Sequence, residues 1–412
     1  MNFDDTPEEA AFRADVKTWL AANATQKTAV TDNRWSGHDR DAVLAISKEW
    51  QAKKAEAGYV GITWPKTFGG RDLPPIMQVI YNQEEVDYAA PNAIFRIGLG
   101  MCIPTMMKYA TDEQNARYVP KAMRGEEIWC QLFSEPASGS DLAGLRTRAE
   151  RDGDDWVING QKIWTSGAQY SDFGILVTRS DFEAPKHKGL TFFFLDMKSP
   201  GVEIRPIRQV SGASNFNEVY FTDVRIPDSQ RLGAVGEGWK VSLTTLMNER
   251  LAVGDAPPPG FDELFELVRS VDFEDGPAIK NAGVREKLAD WYAQQQGLKF
   301  THFRTLSALS RGETPGPEAS IGKVVSARNL QDIASFGMDL QDMAGVMMDG
   351  DLVGMNAVFE EAYLHSPGFR IAGGSDEILR NIIAERVLGL PQDVRVDKEL
   401  PFNALPTGTK KG

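Results

Sequence analysis

Three short stretches combine residue types that are useful to one another chemically. Ser134-Glu-Pro-Ala-Ser-Gly-Ser-Asp141 packs serine hydroxyls, a proline and a glycine into one loop directly after a run of strand-forming residues. Such a loop offers backbone N–H groups and O–H donors to a flat, oxygen-rich ligand or a pyrophosphate. On composition alone it reads more readily as an ordinary Ser/Gly surface turn. Gly160-Gln-Lys-Ile-Trp-Thr-Ser-Gly167 sets Trp164 between a strand and two hydroxyl residues. There an indole can stack on a planar ligand while Thr165 or Ser166 bonds its edge, although a tryptophan by itself is more often core. Phe369-Arg-Ile-Ala-Gly-Gly-Ser-Asp-Glu-Ile-Leu-Arg-Asn-Ile-Ile-Ala-Glu-Arg386 places Gly373-Gly374-Ser375 before a helix. Free amides at that entrance can bind an anion or a carbonyl oxygen. The alternative is a plain capped helix whose dipole favours Asp376 and Glu377.

The elements that must position these stretches follow from periodicity. Residues 1–127 read as a helical domain. It opens on Thr6-Pro7-Glu8-Glu9, an N-cap, an N1 proline and an acidic first turn, with Ala11, Phe12, Val16, Trp19 and Leu20 at helical spacing. Further helices are expected over about 41–57, 75–90, 93–109 and 111–124. Residues 128–237 carry short β-type runs separated by turns such as Asp152-Gly153-Asp154 and Asn159-Gly160, the second a strong hairpin signal. This predicts a β-sandwich or barrel. The helical period returns over 238–390, in segments near 238–254, 261–270, 282–311, 317–344, 351–365 and 375–389, which suggests an antiparallel bundle. Residues 391–412, with Pro391, Pro401 and Pro406, read as an extended tail. The fold class is therefore α+β and multidomain.

Composition narrows the function. A chain of 412 residues exceeds one ordinary core, so roughly two or three domains are expected. The net charge of −13 argues against nucleic acid or an anionic membrane as partner. The longest apolar runs, such as 191–195, fall far short of a membrane span, and the amino terminus shows no secretory leader. Cys102 and Cys130 are the only thiols, and His38, His187, His302 and His365 are scattered without ligand spacing. No metal site and a reducing, cytoplasmic setting are the expectation.

Taken together, in this order, the three stretches resemble the acyl-CoA dehydrogenase family of flavoenzymes, and the resemblance covers nearly the whole chain. Trp64-Pro65, Gly69-Gly70, Glu84-Glu85, Gly125-Glu-Glu-Ile-Trp-Cys130 and Gly236-Glu-Gly-Trp239 fit as well. The resemblance implies an N-terminal helical domain, a central β-domain and a C-terminal four-helix bundle. FAD would lie between the last two, its adenosine end reaching a second subunit. Gln131, Leu132, Phe133 and Ser134 would line the isoalloxazine, with Ser134 on its pyrimidine edge. Ser140 would meet the pyrophosphate or the CoA thioester. Trp164 would stack beside the ring, with Thr165 and Ser166 near N5, and Ser375 and Glu377 would also contact FAD.

The reaction so implied is α,β-dehydrogenation of an acyl-CoA to the trans-2-enoyl-CoA, with electrons passed to electron-transfer flavoprotein. Many family members carry their catalytic glutamate where this chain has Gly373, whose amide, beside Gly374 at the substrate, would still serve as an oxyanion donor. A second family position for the base falls on Glu249. There the residues agree: at helical spacing Glu249 shares a face with Ser242, Thr245, Leu246, Ala252 and Val253, small or apolar and without a basic partner. A carboxylate desolvated there suits a general base, although it also reads as a glutamate that solubilises a helix end. Arg250 matches a family arginine near the acyl-CoA, or forms a structural salt bridge.

Two departures stand out. The family's Arg-x-x-Phe-Gly stretch is replaced by Arg269-Ser-Val-Asp-Phe-Glu-Asp-Gly276, and its Gln-x-x-Gly-Gly stretch by Gln341-Asp-Met-Ala-Gly345. With the Pro257–Pro259 break, these resemble a bacterial subgroup that works as α2β2 heterotetramers, known examples of which act on steroid side chains. A homo- or hetero-oligomer is expected. Two alternatives remain: a non-catalytic or half-site partner subunit, and an oxygen-using monooxygenase or oxidase of the same fold.

Overall fold

The structure, a computed structural model, describes residues 5–27, 40–252, 259–310, 316–350, 352–392, 394 and 397–405; the side chains of 249–252, 306, 309, 310 and 319 lie outside the described set. In chain order come helices α1 (Pro7–Asn23), α2 (Arg40–Glu56), α3 (Pro75–Glu85), α4 (Ile103–Tyr109) and α5 (Asp112–Met123). Strands follow: β1 (Trp129–Leu132), β2 (Arg148–Asp152), β3 (Asp155–Lys162), β4 (Phe173–Arg179), β5 (Leu190–Asp196), β6 (Val202–Ile207) and β7 (Phe216–Pro227). Then come α6 (Gly238–Ala252), α7 (Phe261–Ser270), the short hairpin β8 (Asp272–Phe273) and β9 (Gly276–Pro277), α8 (Ala282–Ser310), α9 (Ala319–Leu340), α10 (Val358–Phe369) and α11 (Asp376–Ile382). Helices, then sheet, then helices is the order expected from the sequence. No described helix is long and apolar enough to cross a membrane.

Contacts divide the chain into two compact units, one of residues 1–36, 73–90 and 254–392, the other of 37–72, 91–253 and 393–412. In the first, α1 begins with a reciprocal cap: Thr6 Oγ1 accepts from the Glu9 N–H and Glu9 Oε2 accepts from the Thr6 N–H. Its buried stripe is Phe12, Val16 and Leu20, the i, i+4 pattern read from the sequence. The bundle helices α7, α8, α9 and α10 bury Leu264, Leu267, Leu288, Ile333 and Phe359 together.

In the second unit one sheet runs in the order β1-β4-β2-β3-β7-β6, with β5 also paired to β4. β1 and β4 are parallel, and β4 pairs antiparallel with β5. β4 is buried along almost its whole length because it lies inside the sheet with neighbours on both edges. One side packs Phe192, Phe194, Ile175 and Val177 with α5 and α6 residues; the other packs Trp156, Ile158, Phe193, Val219 and Phe221.

Two expectations need correction. Asn159-Gly160 is not a hairpin turn; it lies inside β3, where pairing to β7 shifts register between Ile158 and Gly160. Gly160 has φ +151, and a Cβ there would meet Thr147 Cα at 2.7 Å. The glycine therefore permits close approach at a bulge, and Asp152-Gly153-Asp154 makes the turn between β2 and β3. The helix expected over 93–109 is broken into a 3₁₀ turn at Ala93–Phe95, a π-turn at Gly98–Cys102 and α4. Pro104 explains part of this: it has no N–H for the carbonyl four residues back, so the chain widens by one residue per turn. Cys102 and Cys130 are free and buried, and burial pushes the Cys130 thiol up to about 12.

Candidate functional site

The Ser134–Asp141 loop leaves the end of β1 and is held from beneath. Glu135 N–H and Ser138 C=O pair at 2.9 Å, and Ser138 N–H and Glu135 C=O at 3.0 Å. The buried Glu135 carboxylate accepts from the Arg146 N–H at 2.6 Å and the Thr147 N–H at 2.8 Å. Its strongest partner is Lys162, fully buried on β3, whose Nζ lies 2.8 Å from Glu135 Oε1 and 2.9 Å from the Phe133 carbonyl. Ser138 Oγ donates to the Asp141 carbonyl at 2.5 Å. With the interior of the loop so occupied, Ser134 is left half-buried and Ser140 exposed. Leu132 and Phe133 point into the core, Phe133 edge-on to Phe192, so any ligand contact from these two residues must come from backbone. Gln131, between them and the core cysteine, is half-buried.

Just past Lys162 the chain keeps its pairing with the β7 side but kinks at Trp164, which takes φ +60, a region costly for a bulky side chain. Strain of about 1–3 kcal/mol persists only where neighbours impose it. Here the neighbours are plain: the Thr165 N–H donates to the Asn217 carbonyl, and Asn217 Nδ2 returns to the Thr165 carbonyl at 2.9 Å. The consequence is an indole 56% exposed, braced on one edge by Phe216. Beside it Thr165 Oγ1 is buried and has no hydrogen-bond partner among the described residues, while Ser166 is half-buried. A buried hydroxyl without a partner costs about 1–3 kcal/mol. An exposed aromatic face next to an unfilled hydroxyl fits a planar, polar-edged cofactor such as a flavin.

In the same unit α6 packs on α4 and on the π-turn. Thr105 Oγ1 and Thr245 Oγ1, both fully buried, share a hydrogen bond of 2.9 Å, and Tyr109 OH and Thr244 Oγ1 share another of 2.9 Å. Ser242 is buried as well. Glu249 sits one turn beyond Thr245 on α6; its side chain and that of Arg250 lie outside the described residues.

In the other unit, Gly373 at φ +64 and Gly374 at φ +94 carry the chain from α10 into α11. Ser375 caps α11, its Oγ accepting from the Ile378 N–H at 3.4 Å. Lys323 Nζ donates to the Gly374 carbonyl at 2.8 Å and lies 3.6 Å from buried Asp376, which also takes Arg370 Nε at 2.8 Å. Glu377 is exposed, its carboxyl held below the usual range by its own backbone N–H and by Ser375.

Three family models match the chain in succession: the acyl-CoA dehydrogenase N-terminal domain over residues 6–126, the middle domain over 130–224 and the C-terminal domain over 236–388. The chain belongs to the acyl-CoA dehydrogenase family. It is 37% identical to acyl-CoA dehydrogenase FadE34 of Mycobacterium tuberculosis over 85% of this chain, which spans only 47% of that relative. It is 35% identical to acyl-CoA dehydrogenase IpdE1 of Mycolicibacterium smegmatis over 94% of this chain and 99% of the relative. Among solved structures it is similar to the Tcur3481-Tcur3483 steroid ACAD, with a TM-score of 0.78 and 26% identity over 95% of this chain and 100% of that one.

Family membership makes this an acyl-CoA dehydrogenase-type oxidoreductase chain of a flavoprotein family. The sequence of this acyl-CoA dehydrogenase singles out the Ser134 and Trp164 segments but not the buried Glu135–Lys162 pair that joins them. A signal was present: Lys162 falls in phase with the inward-facing Trp156 and Ile158 of β3, and a lysine buried there requires an acid. Arg179, Thr105 and Thr245 carried no comparable signal.

Proposed function

We propose that this chain catalyses the α,β-dehydrogenation of an acyl-CoA thioester to the trans-2-enoyl-CoA, with FAD as cofactor and electron-transfer flavoprotein as electron acceptor. The observation that carries the reading is Trp164, held at a left-handed backbone angle with its indole in solvent and the unpartnered Thr165 hydroxyl beside it. Ser134, Ser140 and Ser166, with the backbone of Gln131, Leu132 and Phe133, would contact the flavin and pyrophosphate. Ser375 and Glu377 would contribute further cofactor contacts. FAD, when bound, supplies the acceptor for the β-hydrogen as hydride. Glu249 would remove the α-proton, since glycine at 373 leaves no carboxylate there. The Gly373 amide would donate to the thioester oxygen as enolate charge develops, with Gly374 and Arg250 close to the thioester. A steroid side-chain acyl-CoA is the favoured substrate class, supported by the name of the steroid ACAD relative. Anaerobic addition of acyl-CoAs (short, long, branched and steroidal) to the purified yellow protein tests this: the preferred thioester should bleach the flavin absorbance, and no bleaching by any of them refutes the reading.

A second reading has one observation behind it. Where the family's Arg-x-x-Phe-Gly stretch would stand, the chain folds into the β8–β9 hairpin, and Arg269 ends exposed on the last turn of α7. A hetero-oligomer in which an unlike subunit supplies part of the cofactor site accounts for it. A colourless chain that turns yellow only when a second subunit is co-expressed would favour this half-site role.

A further inference from the structure

We propose that residues 397–405 form a clasp on the unit containing the sheet, and that this clasp sets the Ser134–Asp141 loop in place for cofactor binding. The second half of the proposal rests on the reading of that loop as a cofactor wall.

After Gln392 the chain's remaining described residues belong to the unit with the sheet. They are fastened there by backbone and side chain. The Phe402 N–H donates to the Ala184 carbonyl at 3.0 Å and the Asn403 N–H to the Phe182 carbonyl at 2.9 Å, while Pro401 bridges Pro185. Phe402 is 3% exposed, and the guanidinium of Arg179 lies 3.5 Å from its ring centroid.

Two routes lead from the clasp to the loop. The first is Arg179 itself, fully buried at the end of β4. Its Nε donates to the Leu145 carbonyl at 3.0 Å, and its Nη2 to the carbonyls of Ala143 at 2.5 Å and Lys186 at 3.2 Å. One guanidinium thus holds the chain leaving the loop, and the Phe402 ring is the lid that keeps water from it. Charge-assisted bonds hold more firmly in such a dry setting than in water. The second route is Lys186, whose Nζ stands between Asp141 at 3.0 Å and Asp397 at 2.5 Å. Asp141 closes the loop, and its carbonyl and that of Leu142 both accept from Ser138 Oγ. Clasp, cations and loop form one connected set.

The test uses the full-length chain with Phe402→Ala, Phe402→Leu and Asp397→Asn, read by hydrogen exchange without cofactor and by FAD affinity from flavin fluorescence. In Phe402→Ala, the amides of residues 138–147 should exchange faster while β6 and β7 keep their protection, and FAD should bind about tenfold more weakly. Phe402→Leu, which keeps an apolar cover, should recover both readouts to within about twofold. Asp397→Asn should weaken FAD binding by about threefold at low salt and much less at high salt. Unchanged protection over residues 138–147 in Phe402→Ala overturns the clasp. Faster exchange with unchanged FAD affinity overturns its link to the cofactor. A wild-type chain that binds no FAD, either alone or with a co-expressed second subunit, overturns the cofactor reading of the loop, and the exchange measurement still decides the clasp.

Discussion

Lys162 on β3 and Glu135 after β1 meet in a buried ion pair, 2.8 Å from Nζ to Oε1, and so join the two segments whose exposed residues frame the candidate flavin site. Burial pushes the Glu135 carboxyl up, but Lys162 and the Thr147 and Arg146 N–H groups outweigh it and hold the carboxyl below its usual value. Its stabilising contribution is therefore present at neutral pH and lost as pH falls through that lowered value. Burial lowers the Lys162 ammonium more than Glu135 raises it. Removing one partner strands a buried charge, which costs about 3–5 kcal/mol. Lys162→Met should lower the unfolding free energy extrapolated from urea titration by that order, and the double variant with Glu135→Gln should recover part of the loss. If the two single losses simply add, the pair does not act as a unit.

Trp164 is strained and exposed at once, so its cost and its use can be separated. Trp164→Gly relieves the left-handed angle and should leave the thermal midpoint of the cofactor-free protein unchanged or raised by the equivalent of about 1 kcal/mol. The same variant should bind FAD about tenfold more weakly, because the stacking face is gone. A lower midpoint in the cofactor-free protein would make the indole a structural residue instead.

Glu249→Gln should abolish turnover and leave FAD affinity within about twofold of wild type, since it removes a base without touching the Ser134 loop. Near wild-type turnover in this variant refutes Glu249 as the base. Arg250→Lys serves as the neighbouring control: if Arg250 assists the acyl-CoA, KM rises more than kcat falls.

Asp228 gives a pH signature of the sheet unit alone. Arg231 and then the Trp156 indole N–H, 2.7 Å away, hold its carboxyl far below the usual range. A depressed carboxyl stabilises the fold above its unfolded value, and that contribution fades as pH falls through the folded one. Asp228→Asn should therefore cost about 1–2 kcal/mol at neutral pH, with the difference from wild type shrinking below about pH 4. Urea titrations at neutral and acid pH measure it; a difference that stays constant into acid would show that the charge contributes nothing.

The sequence by itself determined the order of helical and β segments, the Thr6 cap and the loops that carry Ser134, Trp164 and Gly373. These are local matters: capping, periodicity and glycine freedom act within a few residues, so their signals lie side by side in the chain. The whole-chain resemblance implied cofactor roles for those loops. Only the tertiary structure placed Asn159-Gly160 inside a strand, because the deciding neighbour, Thr147, comes from the separate segment that leads into β2. It also seated Phe402 of the supposed tail against Arg179, residues more than two hundred positions apart. Buried pairs such as Lys162 with Glu135 depend on which surfaces close over them. Closure is set by the packing of the whole unit, and no local pattern records it.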